Sequence, residues 1–109
     1  ATLTPEIKAR EYENYKNWIS LMEEYVFPNM SDAVAEKAKN VYIKYIASYM
    51  LSMVRNDKKQ EFLKLKENKI FSKIAKEKFK LSLKDWVIIM SYRLSPRFSW
   101  ILIKLLKRK

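Results

Sequence analysis

The sequence predicts an all-α fold, a bundle of four to five helices, on three observations. None of its 109 residues is glycine, which removes the two-residue hairpin turns on which sheets of short strands depend. Apolar residues recur at intervals of three and four, the helical period, and do not alternate over a strand's length. Thr4-Pro5 and Ser95-Pro96 each set a hydroxyl cap before a proline, whose missing N–H costs nothing at the first helical position. We expect a single helical domain over 1–109, with a near-neutral helical pair in 1–57 and a basic, apolar-rich part in 58–109.

Thr4-Pro5 opens the first helix. Tyr15, Trp18, Ile19, Met22, Tyr25 and Val26 form its apolar face, and Pro28 should stop it near Phe27 because the residue before proline avoids helical dihedrals. After a short turn, Ser31 or Asp32 caps a longer helix striped by Ala38, Tyr42, Tyr45, Ile46, Tyr49 and Met53. So short a connection predicts an antiparallel pair. At Asn56-Asp57 the chain stops and restarts, with Asn56 suited to a left-handed backbone and Asp57 with Gln60 resembling a capping box.

Phe62, Leu63, Leu65, Ile70, Phe71, Ile74 and Ala75 mark a Lys-rich helical stretch with a break near Asn68. Ser82 and Asp85 then form a capping pattern, with Leu81 set to staple against Trp86, so a helix begins at Leu83 and ends by Leu94. The last helix runs from Pro96 to Lys109. The Tyr and Met series on the second helix reads as a packing seam. Glu11, Glu13, Glu23 and Glu24 read as a solvated face rather than a metal site.

Composition excludes much chemistry. With no Cys, His or Gly, the chain holds no thiol or imidazole catalyst, no Cys/His zinc site and no glycine-rich phosphate loop. We assign it no catalytic, cofactor-binding or metal residue. The absence of Cys fits a reducing compartment. The chain begins with Ala1, and we expect a C-terminal piece of a longer protein.

Charge divides the chain: residues from Lys58 onward carry sixteen Lys and Arg against four Asp and Glu, whereas 1–57 carry seven against eight. A basic and apolar segment suits an anionic surface. The apolar runs are too short to span a bilayer, since Arg93, Ser95, Pro96 and Arg97 interrupt them. The final helix could instead lie in the interface, with Phe98, Ile101, Leu102 and Leu105 on one edge and Arg97, Lys104 and Arg108 on another, while Trp86, Tyr92 and Trp100 suit headgroup depth. The contact residues we expect are Trp86, Arg93, Arg97, Trp100, Lys104, Lys107, Arg108 and Lys109. The alternatives are plain solvated surface, a self-association module and non-specific nucleic-acid binding; against the last, only three of the sixteen cations are Arg.

The tail also carries a likeness. A Lys-rich helix, Leu81-Ser82-Leu83-Lys84-Asp85, an apolar helix, Arg93-Leu94-Ser95-Pro96-Arg97-Phe98 and a closing Leu102-Ile103-Lys104-Leu105-Leu106-Lys107 resemble the C-terminal end of bacterial family 2 glycosyltransferases, which make capsular and surface polysaccharides. The resemblance extends over residues 10–109. It implies a catalytic nucleotide-sugar domain upstream of Ala1 and a non-catalytic helical appendage here. That appendage would hold the enzyme at the cytoplasmic side of the inner membrane, near a lipid-linked acceptor, or mediate contact with the catalytic domain or with a second copy.

Overall fold

The computed structural model describes residues 4–107, apart from the Lys107 side chain. Its first helix, α1 (Pro5–Leu21), begins as the caps require, with the Thr4 hydroxyl accepting from the Ile7 N–H at 3.2 Å. The expected stop near Phe27 is overrun by two residues. Met22–Val26 widen into a π-turn, closed by the Phe27 N–H on the Met22 carbonyl, and Phe27–Asn29 add a last α-turn. The wider turn accommodates Pro28, which has no N–H to give and whose ring would crowd the carbonyl one turn back. The Asn29 side chain donates to the Tyr25 carbonyl at 2.7 Å as the helix runs out.

α2 (Asp32–Arg55) returns antiparallel to α1. Aromatic contacts fix the direction: Tyr12 stacks on Tyr49, Trp18 on Tyr45, and Phe27 meets Tyr42 edge-on, so positions rise on one helix as they fall on the other. The buried face of α1 is centred on Tyr12, Ile19 and Met22. Trp18 and Tyr25, expected on this apolar face, lie at its outer edge at 54% and 62% exposure. α2 is buried on more than one side, with Ile43, Ala47, Met50 and Val54 inside along with Tyr42, Ile46, Tyr49 and Met53, because the later helices pack around it.

The left-handed residue at the end of α2 is Asp57, with φ 56°, and Asn56 keeps a negative φ. No capping box forms there, since Lys58 occupies the cap position without a side-chain bond. Asn56 instead ties the helices together, donating to the carbonyls of Lys8 and Ser52 at 3.0 and 2.8 Å. The Lys-rich stretch breaks where expected. α3 (Lys59–Lys64) passes through a 3-10 turn, and Asn68 then caps α4 (Lys69–Ile74) by accepting from the Ile70 and Phe71 N–H groups.

α5 (Leu83–Leu94) and α6 (Pro96–Lys107) complete the bundle, six helices among the described residues. Ser82 caps α5 through the Asp85 N–H at 3.2 Å, and Ser95 caps α6 through the Phe98 N–H at 3.3 Å. One apolar core, from Tyr12 to Ile103, draws on all six. Among the described residues no helix is long and apolar enough to cross a membrane.

Candidate functional site

Large apolar side chains stand exposed on both helical pairs, and they are densest along the last two helices. α5 reads Trp86-Val87-Ile88-Ile89-Met90 at its centre, apolar all round, and a helix of that kind must either lie wholly inside or leave apolar surface in solvent. It buries Ile88, Ile89, Ser91 and Tyr92. The opposite pole carries Leu83 at 77% exposure, Trp86 at 51% and Leu94 at 83%.

α6 repeats the arrangement. Only Ser95 separates it from α5, and the two form a helical hairpin in which the Ser91 hydroxyl donates to the Ser99 hydroxyl at 2.9 Å. Serine's small side chain lets the helices meet along this line. Further from the bend, Lys84 and Ile88 share a small cleft with Ile103 and Leu106, so the helices run antiparallel. Ser99, Trp100 and Ile103 face inward, while Phe98, Ile101 and Leu105 are each more than half exposed. Arg93 and Arg97 are exposed at the bend. The hairpin therefore presents an apolar outer face with cations at its margins.

The residues expected to make contact divide across this surface. Trp86, Arg93, Arg97 and Lys104 are exposed on the hairpin. Trp100 is not available: it is 4% exposed and meets Phe62 edge-on with ring centroids 5.2 Å apart. Tyr92 is likewise buried, its hydroxyl donating to the Phe62 carbonyl and accepting from the Lys66 N–H, both at 2.8 Å. Burial pushes this phenol's pKa up to about 12, against the opposing pull of the Lys66 N–H. Lys104 stands over the Trp100 ring and 3.9 Å from Asp57. The side chain of Lys107, and Arg108 and Lys109, lie outside the described residues.

Sequence reasoning missed Leu83 and Leu94. The available signal was helical spacing, which sets Leu83 and Leu94 on the side of this helix opposite Ile88 and Tyr92.

The carboxylates of α1 correct another expectation. Glu23 belongs to a partly buried junction, accepting from the Tyr42 hydroxyl at 2.6 Å and from the Asn68 side chain at 2.9 Å. Burial first, and Glu23 second, raise the Tyr42 pKa far above the ordinary tyrosine value. Glu11 pairs with Arg55 at 3.5 Å, whereas Glu13 and Glu24 are exposed. Among the described residues no three metal-ligating side chains gather into a site. The chain matches no family model, no curated protein and no solved structure.

Proposed function

We propose that this chain is a non-catalytic helical module that seats the α5–α6 hairpin on an anionic membrane surface. The observation that carries the reading is the outer face of the hairpin, where Leu83, Trp86, Leu94, Phe98, Ile101 and Leu105 stand in solvent beside Arg93, Arg97 and Lys104. Half-exposed side chains of this size offer about 1 kcal/mol each on leaving water. Cations near an anionic leaflet add about 1 kcal/mol each. Together these gross terms reach the range of weak, reversible peripheral binding once the entropy of association is subtracted. The tail's likeness to family 2 glycosyltransferases extends the proposal to a parent enzyme held at the cytoplasmic side of the inner membrane, close to a lipid-linked acceptor.

The test is co-sedimentation with vesicles. Binding to phosphatidylglycerol vesicles that weakens as salt rises, with little binding to phosphatidylcholine, is the expected result; equal binding to both would defeat the proposal. Removing residues 96–109 is a poor control, because Trp100 and Ile103 belong to the core. Charge substitutions at Phe98 and Leu105 leave the core intact.

A helical interaction or self-association module is a second reading, favoured by the burial of Trp100, which packs the final helix into the core, and by the exposed Trp18, Leu21, Tyr25 and Val41 on the α1–α2 pair. Sedimentation of the full chain decides it: a monomer across micromolar concentrations removes this reading. Nucleic-acid binding ranks third, and no response to oligonucleotide at low salt would dismiss it.

A further inference from the structure

We infer that a cleft beside the hairpin bend binds a phosphate group, a site that rests on the membrane-seating proposal only for the source of its ligand. The cleft has a volume of about 310 Å³ and lies between α4 and the end of α5. Phe71, Ala75 and Tyr92, all buried, contribute apolar lining, and Lys66, Lys76 and Arg93 bring three cations. No carboxylate lines it. Among the described residues none of the three cations forms an ion pair, and the Arg93 guanidinium reaches only the Met90 sulfur, at 3.7 Å.

The wall that bears Lys66 is held in place. Its N–H donates to the Tyr92 hydroxyl at 2.8 Å, and its carbonyl accepts from the Ser72 hydroxyl at 2.6 Å. Tyr92 thus fixes the Lys66 backbone, and the next residue along α5 is Arg93. Three unpaired cations lining one concavity raise its positive potential, and a guanidinium donates to two phosphate oxygens side by side. The adjoining clefts add Arg97 and Lys64 beside Glu67 on one side, and Trp86 and Lys78 beside Glu77 on the other. A phosphate held here would lie next to the apolar face, as the headgroup of an interfacial lipid would.

The ligand class is a phosphate monoester or diphosphate, carried by a lipid or by a soluble molecule. The full chain is tested on phosphatidylcholine vesicles bearing either phosphatidic acid, whose phosphomonoester is open, or phosphatidylglycerol, matched for surface charge. About tenfold tighter binding to phosphatidic acid is expected. K66Q/K76Q/R93Q should abolish that preference, and R10Q/K37Q/K44Q, with equal loss of charge on α1 and α2, should retain it. Glycerol 3-phosphate provides the second arm, read by backbone amide shifts at Ser72, Ala75 and Arg93. Shifts without a vesicle preference assign the cleft to soluble phosphate esters; a preference with the matched variant's behaviour as expected assigns it to lipid. Neither preference nor shifts, or equal loss in both triple variants, overturns the phosphate site even where vesicle binding persists. Loss of all vesicle binding strikes the seating proposal instead, and the amide shifts still decide the cleft.

Discussion

The α1–α2 pair and the α5–α6 hairpin are both antiparallel helical pairs, yet they are held together by different means. The long pair is stitched by aromatics and by the Tyr42 phenol, which reaches Glu23, while the Tyr12 phenol ties α1 to Glu61 of α3. The hairpin meets through two serines and aliphatic side chains, and it turns much of its apolar surface outward. The first pair uses polar groups to define one packing. The second has apolar surface in excess of what its own core can cover, and surface of that kind marks an interaction site.

The sharpest way to break this comparison is at Trp100. If the inner face of α6 is core, Trp100→Ala costs about 3–5 kcal/mol in urea unfolding, while Trp18→Ala on the outer edge of the first pair costs far less. Comparable losses would erase the distinction. Next comes F98E/L105E, which should lower affinity for phosphatidylglycerol vesicles about a hundredfold, from lost apolar transfer and added repulsion. Its melting temperature should stay close to the parent's, because both side chains already stand in water. A large drop in stability would mean that they support the fold.

Smaller effects sharpen the first pair. Tyr42→Phe leaves Glu23 with only the Asn68 amide and should cost about 1 kcal/mol, measured by the same unfolding curves. Alkaline titration gives the last contrast. Tyr12, Tyr42, Tyr49 and Tyr92 have pKa values raised by burial. A raised folded pKa means that their contribution is complete below pH about 10 and is lost as pH climbs through the folded values. Phenolate absorbance should therefore rise in two stages, with these four of the seven tyrosines ionising late and together with unfolding. A single stage near pH 10 would contradict their burial.

Much of this fold was legible because its punctuation is local. Thr4, Ser82 and Ser95 are caps that depend on the next three residues alone, and the short connection after Asn29 sets the pair antiparallel. The rest depended on distant partners. Pro28 is absorbed by a π-turn rather than ending the helix. Asp57 takes the left-handed position while Asn56 is held by the Lys8 carbonyl from another helix.

Within α6 the one contact that failed is Trp100. Ser99 is fully buried against Ser91, and Trp100, the next residue along the helix, is buried with it. The exposed face was thus half legible. Phe98, Ile101 and Leu105 were on the expected edge, and Arg93, Arg97 and Trp86 are on the surface. Lys66 and Lys76, separated from Arg93 in sequence, come beside it only through the packing of α4 on α5.

The central claim is that the hairpin, not the long pair, enters the membrane interface, and its tryptophans can report it. Trp86 is exposed on α5, Trp18 is exposed on α1, and Trp100 is buried. Fluorescence quenching by lipids brominated along their acyl chains, in phosphatidylglycerol vesicles, compares W18F, which leaves Trp86 as the exposed reporter, with W86F, which leaves Trp18. The account predicts strong quenching in W18F and little in W86F; quenching of Trp18 with Trp86 untouched would contradict it.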